Sequence, residues 1–584
     1  MMQLKLLPFV LSTLVRGVVS RVNLRQCKLH VMEFVCLPDD SGCLEIGLDC
    51  ESYDGRSYSV VGAPEEWISH KIGEGTLVSG ESVLFAPSDL YAGDAQSIVI
   101  PDADTLDSLQ IRTRTGRRVT GLAAVTGNIS LLIVRVVATD SVPSYSADVL
   151  SDKFFGTGGD AVTLHSQMSD CSYGQLNVMP PTGPHIVSPG VVEVDIGIPM
   201  EGNSDENTLT TVINAAVAKI FEDWGVDVRS EYDKVAFVIK GCKPNKCPWG
   251  AYAAVNGWYA VFKGQYATMS TIQMHIFGRL LGLNKSGGIN KVAHNDYTCS
   301  MGVPLYDDDG RMCFNAAKNR YLGWYANAEV TPGESNWDGK MIGIAEWDNG
   351  AHGLPVSVQL SDTNNSELIY VAFNRATGIN GDNAQADDQV TVTSTAAGAV
   401  GVSPQSWLLA TLGAGEEHEL ANGVKVRVCE IDIREVPGWA HVLIYTPGSG
   451  EGLCPEPTSK PTLAPTVALT ATPTATPNAS HFSTSAITCA GLNKKTCLTN
   501  AQCTYTKDPQ KTKLCLPRIK KYEHDCSQYA SESLCTAAKG LCDYVNGACV
   551  HMCDGGGSEC RGLQANDGYR MCRILQKITW TCVG

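Results

Sequence analysis

The sequence predicts an α/β core with β-rich flanking domains and a small disulfide-rich C-terminal region. Three observations carry that expectation. Two helical apolar stripes lie among strand-like runs between residues 191 and 283, short alternating β segments stand on either side of them, and twelve of the 23 cysteines crowd into the residues after 488. A chain of 584 residues exceeds what one hydrophobic core organises, so several domains are expected.

Residues 1–20, MMQLKLLPFVLSTLVRGVVS, place Lys5 before an apolar run from Leu6 to Val15 and small residues near Val18 and Ser20. That is the layout of a signal peptide, interrupted by Arg16. Residues 21–145 read as a β-rich N-terminal domain, ending in ISLLIVRVV (Ile129–Val137), a buried strand. Residues 146–335 hold the core. VVEVDIGI (Val191–Ile198) reads as a strand. Glu206–Gly225 reads as a helix, because Leu209, Val212, Ile213, Val217, Ile220 and Phe221 recur at helical spacing and Gly225 stops it. KVAFVIKG follows as a strand, and a second helix carries Met269, Ile272, Ile276, Leu280 and Leu283 as its apolar stripe.

Residues 336–453 return to short β segments (VSVQL, LIYVAFN, DQVTVTS, AHVLIY) between Gly, Asn and Asp turns, which fits a β-sandwich-like domain. Residues 454–488 form a Pro/Thr-rich linker that cannot bury a core and reads as an extended stalk. Residues 489–584 are cysteine-rich repeat modules. Cys489, Cys497, Cys503 and Cys515 are echoed by Cys526, Cys535, Cys542 and Cys549, with Tyr505 and Tyr544 each two residues after the third cysteine. Cys553, Cys560, Cys572 and Cys582 form a third, divergent quartet. Modules this small need disulfide staples.

Lys plus Arg number 45 against 61 Asp plus Glu, a net charge of −16 that argues against nucleic acid as a partner. No stretch offers the roughly 18 consecutive apolar residues of a transmembrane segment. The cysteine usage fits a secreted protein, and Asn128, Asn284, Asn364 and Asn478 are then glycosylation candidates. Cys299 and Cys313 bracket the loop containing YDDDGR and are candidates for a disulfide, as are Cys242 and Cys247. That acidic loop lacks the full twelve-residue calcium pattern, so a solvated turn is expected.

QMHIFGRLLGLNK (Gln273–Lys285) carries the chemistry, or its remains. In a zinc peptidase helix of the form H-E-x-x-H-x-x-G-x-x-H, histidines four apart face the metal, the Glu takes a proton from its bound water, and the Gly turns the chain back toward the third ligand. The register here gives His275, Ile276, Arg279, Gly282 and Lys285.

Together with AYAAVNGWYAVF, YTCSMG, RMCFNAAKNRYLGWY and FGTGGDAVTLHSQMSDCSYGQL, this segment resembles the gametolysin-like branch of the metzincin-type metallopeptidases. Met301 matches that family's Met-turn, and Cys313, Phe314, Asn315, Lys318, Leu322, Gly323 and Trp324 match its C-F-N-x-x-K-x-x-x-L-G-W segment. The resemblance implies a metzincin-like peptidase core, a prodomain-like role for residues 21–145, and a secreted zinc endopeptidase acting on extracellular glycoproteins.

The departures fall on the chemistry. Ile276 replaces the family Glu and has no proton acceptor, while Arg279 and Lys285 replace ligands with cations, so His275 is the only retained ligand position. His294 is the nearest candidate for a substitute ligand, against the plainer reading of a solvated loop histidine; for Arg279 the expectation is a carboxylate partner in the vacated metal space. Without a zinc, Cys171 has nothing to cap as a prodomain thiol. The expectation is therefore a pseudopeptidase with no cofactor, secreted to an extracellular matrix or cell wall, with a glycoprotein or polysaccharide as partner. The alternative is an active zinc-dependent endopeptidase using unconventional ligands.

Overall fold

The computed structural model describes residues 24–448 except for short stretches, the longest being 114–123 and 242–247, then Cys454, and beyond it the backbone of six strands. The expectations for residues 1–20, most of the linker, Cys242, Cys247, Asn364 and Asn478 lie outside the described residues. The chain divides into two compact units, residues 1–458 and 459–584.

In the first unit thirteen strands share one mixed sheet. They are β1 (Leu24–Cys36), β2 (Ile46–Ser52), β3 (Ser57–Val61), β4 (Ser82–Pro87), β5 (Tyr91–Ala92), β6 (Ser97–Val99), β7 (Gln110–Thr113), β8 (Gly127–Val137), β9 (Leu176–Met179), β10 (Val191–Asp195), β11 (Lys234–Ile239), β12 (Trp249–Ala254) and β13 (Tyr259–Lys263). Their order is β10-β8-β11-β13-β12-β1-β2-β3-β6-β5, with β9 on β8 and β4 joining β1 to β7. The helices are α1 (Glu65–Gly73), α2 (Ala103–Ser108), α3 (Ala147–Phe155), α4 (Leu164–Cys171), α5 (Glu206–Trp224), α6 (Val228–Glu231), α7 (Ser270–Leu280) and α8 (Ala316–Leu322).

Strands β10, β8, β11 and β13 run parallel, and β12 returns antiparallel to β13. Successive side chains of a strand point to opposite faces, so a strand covered on both sides is apolar throughout. On β8, Leu131 and Ile133 join the core containing α3, α4 and α7, while Leu132, Val134 and Val136 join the core under α5. Helix α5 buries Val212, Ile213, Val217 and Ile220 as the spacing predicts, and Gly225 follows it at φ +68°. Phe221, expected in the same stripe, is 60 % exposed. It lies on the last turn, beside the buried Ile220, on the side of the helix turned away from that core.

The reading of residues 21–145 as one domain places β8 on the amino-terminal side of a boundary, yet the sheet sets it between β10 and β11. Covering both of its faces takes helices that all follow it in sequence. The amino-terminal strands are also continuous with the core, because β1 pairs antiparallel with β12 from Met32 opposite Ala254 to Cys36 opposite Trp249.

Ten further strands follow: β14 (Ser286–Gly287), β15 (Glu329–Val330), β16 (Trp337–Ile342), β17 (Ser357–Asp362), β18 (Glu367–Asn374), β19 (Gln389–Ala396), β20 (Ser406–Leu412), β21 (Glu417–Glu419), β22 (Lys425–Asp432) and β23 (Trp439–Tyr445). A six-stranded sheet, β14-β20-β19-β18-β17-β15, and a four-stranded one, β16-β23-β22-β21, enclose a core that includes Met341, Val371, Val392, Val426 and Val442. Four disulfides are formed among the described residues, Cys27–Cys50, Cys36–Cys43, Cys171–Cys313 and Cys429–Cys454. No helix among these residues is long and apolar enough to cross a membrane.

In the second unit, β24 (Cys503–Lys507) pairs with β25 (Lys513–Pro517), β26 (Cys542–Val545) with β27 (Ala548–His551), and β28 (Cys572–Leu575) with β29 (Thr579–Cys582). Each hairpin starts at the third cysteine of a quartet and carries the fourth on its return strand. Tyr505 stands opposite Cys515 and Tyr544 opposite Cys549, whereas in the divergent third quartet Cys572 itself stands opposite Cys582.

Candidate functional site

Every residue of α7 is buried. A glycine at 278 is required by packing, since a Cβ there would lie 2.4 Å from Sδ of Met301. Gly282, at φ +82°, closes the helix: its N–H and that of Leu283 donate to the carbonyls of Arg279 and Gly278, each at 2.9 Å. The chain turns back there and brings Lys285 to the same region as His275.

His275 sets the site's electrostatics. Its Nδ1 lies 2.8 Å from the carbonyl oxygen of Ser300, which can only accept, so Nδ1 carries the proton. Burial, reinforced by the charge of Arg279, pushes its pKa well below the usual imidazole range and keeps the ring neutral. The free lone pair is then on Nε2, the tautomer that a metal-binding histidine also adopts. Here that lone pair receives Nη2–H of Arg279 at 3.3 Å.

Arg279 is 1 % exposed. Its Nη1 donates to the Leu283 carbonyl at 3.1 Å and stands 2.6 Å from Oε2 of Glu33, a close ion pair without linear hydrogen-bond alignment. The carboxylate expected for Arg279 is thus Glu33, supplied by β1. Lys285 Nζ and His294 Nε2 converge on one oxygen of Glu45, at 2.7 and 2.9 Å. The hydrogen bond from His294, with Lys285 beside it, holds the Glu45 carboxyl well below the usual range against the opposing effect of its partial burial. His294 therefore serves Glu45 through Nε2. Ile276 is 1 % exposed and belongs to the same apolar cluster as Ile272 and Leu280.

The partners Glu33 and Glu45 were not legible as site residues from local motifs. A signal existed for Glu33: it interrupts the apolar run HVMEFVC in β1, and a carboxylate buried in such a strand requires a cation. For Glu45 no local pattern points to Lys285, 240 residues away.

The C-F-N segment is structural. Asn315 caps α8 by accepting from Lys318 N–H at 3.1 Å, Gly323 ends that helix at φ +76°, and Trp324 donates to the Val125 carbonyl at 2.8 Å. The candidate bridge between Cys299 and Cys313 is corrected: Cys313 is joined to Cys171, at the end of α4, and Cys299 is a buried free thiol. Cys299 Sγ instead accepts N–H groups from Met301 and Asn315 at 3.4 and 3.3 Å. Asp308 of the acidic loop shares Lys153 with Asp160, which follows α3, at 2.6 and 2.8 Å. Of the sequons, Asn128 is exposed at the start of β8, while Asn284 is half-buried and accepts from the Lys285 N–H at 2.7 Å.

Residues 129–386 match the family described as gametolysin peptidase M11. This stretch is a gametolysin-family metallopeptidase domain. No curated protein matches the chain. The match overturns the expectation that no cofactor belongs to this protein, because the gametolysin family is zinc-dependent. The residues at the family's ligand positions do not fit that zinc. The lone pair of His275 faces a guanidinium, Lys285 is an ammonium paired with Glu45, and among the described residues no three His, Cys, Asp or Glu side chains converge as a ligand set.

Proposed function

We propose that this protein is a secreted, catalytically silent member of the gametolysin family, built on a metzincin-like α/β core, that binds glycoprotein or polysaccharide in an extracellular matrix or cell wall. The observation that carries the silent half is the Arg279 guanidinium on the Nε2 lone pair of His275. Beside it, the position of the general base is an aliphatic side chain in an apolar cluster. General-base assistance is typically worth about 10² to 10⁴-fold in rate, and Ile276 can supply none of it.

Support for export comes from the four disulfides among the described residues, since such bonds persist in oxidising compartments. The parallel strands β10, β8, β11 and β13, with helices on both faces, support the α/β core. The binding role is assigned to residues 489–584, carried on the 454–488 stalk, because three cysteine-bearing hairpins form a repeated module.

The test is a protease assay of the purified full chain on a glycoprotein substrate, with zinc supplied and with or without chelator, beside a pull-down on wall or matrix polysaccharide. The expected outcome is no chelator-sensitive cleavage, with retention on the polysaccharide that is lost when residues 489–584 are removed. Chelator-sensitive cleavage would establish the other reading, an active zinc-dependent endopeptidase with unconventional ligands.

A further inference from the structure

The amino-terminal strands and the gametolysin-family domain share one sheet and the charges of one site; β1 sends Met32 and Val35 into that domain's two cores, while most other apolar residues of the segment pack in a cluster of their own. Strand β12 has β13 on one side; its other edge, which would offer unpaired N–H and C=O groups to any extended peptide, is filled by β1. The alternation of β1 turns Met32 into the core under α5, and Val35, two residues from Glu33 on the opposite face, into the core containing α7. Glu33 reaches Arg279 from that side.

We infer that residues 24–113 are a permanent half of the peptidase unit, retained in the mature protein, and that Glu33 is the fixed counter-charge for Arg279. Remove the segment, and a guanidinium 1 % exposed loses its carboxylate while β12 becomes an open edge. Lys285 and His294 lose Glu45 at the same time. The attachment extends away from the site as well. Tyr259 Oη on β13 donates to Asp49 Oδ2 at 2.5 Å, and Asn214 on α5 bonds both the N–H and the carbonyl of Ser57, at 3.2 and 2.9 Å. These contacts hold whether or not the chain cleaves peptides, so the inference is independent of the silent reading.

Two measurements on the full chain test it. Secreted protein is purified in its folded form and its amino terminus and intact mass are read; a chain beginning at or before Leu24 and still continuous through residue 113 is expected. Folded protein lacking residues 24–113 overturns the inference. The second measurement is thermal unfolding of Glu33→Gln, Arg279→Met and the double variant. Each single change is expected to lower Tm by several degrees, and the double to recover at least half of the Glu33→Gln loss. Additive losses overturn the counter-charge assignment. Should Glu33→Gln fail to accumulate as folded protein, accumulation of the double variant supports the assignment and its absence overturns it.

Discussion

Arg279 occupies a position where an imidazole would be uncharged and a guanidinium is not, and the rest of the site follows from that charge. Arg279→His leaves Glu33 as a buried carboxylate with no cation, a change expected to cost about 3–5 kcal/mol. Chemical denaturation of the single variant checks it; a loss under about 1 kcal/mol would mean that the pair is not a buried one. Cys299 provides a second check at this scale. Burial pushes its thiol up to about 11, so at neutral pH it is a protonated, inaccessible group. Alkylating reagent should leave it unmodified in the native protein and modify it after unfolding, as read by peptide mass spectrometry. Neither prediction could be made from spacing alone. The cations at 279 and 285 are plain in the sequence, but the partners that neutralise them arrive from residues 33 and 45.

Helix α8 is not among the elements expected from the sequence, although Asn315 and Gly323 stand as a capping residue and a left-handed terminator at the two ends of its seven residues. Gly323→Ala would force a Cβ at φ +76° to within 2.9 Å of Ala124, with an expected loss of about 1–2 kcal/mol in thermal unfolding. Lys318, inside the same helix, was not legible as a buried cation. Its Nζ donates to the Pro404 carbonyl at 2.8 Å, and burial pushes its pKa down to about 7. The unfolded chain keeps that amine protonated up to about 10.5, so between roughly pH 7 and 10.5 the unfolded state binds more protons and stability rises with pH. Denaturation at pH 7, 8 and 9 should show that rise, by up to about 1.4 kcal/mol per unit, and Lys318→Met should flatten it. The tie between Cys171 on α4 and Cys313 before α8 closes 142 residues. In the chain-entropy treatment such a loop contributes about 5 kcal/mol. Cys171→Ser should therefore lower Tm more than Cys36→Ser, whose bridge spans seven residues; equal shifts would count against that account.

Across the whole molecule, residues 1–458 form one compact unit and 459–584 another. A chain ending at residue 458 is expected to unfold with the Tm of the first transition of the full protein. A shift of more than a degree or two would show that the tail stabilises the first unit. The two-sided burial of Leu131 to Val134 on β8 also explains why the sequence suggests a boundary at 145: a run of apolar residues announces a core without saying whose. The repeat in the tail is visible as spacing, since similar intervals of cysteine, with a Tyr two residues after the third, need no partner to be recognised.

The sequence by itself determined the local features: the periodic helices α5 and α7, the repeated cysteine quartets, and the presence of His275, Ile276, Arg279 and Lys285 on α7 and the turn after it. Each of these is written in residues within a few turns of one another. Only the tertiary structure decided that Cys313 bonds Cys171 rather than Cys299, that the first strand completes the sheet of the peptidase domain, and that Glu33 and Glu45 neutralise Arg279 and Lys285. Those pairings join residues more than a hundred apart, and a buried charge records in its own segment that it needs a partner, not where in the chain the partner lies.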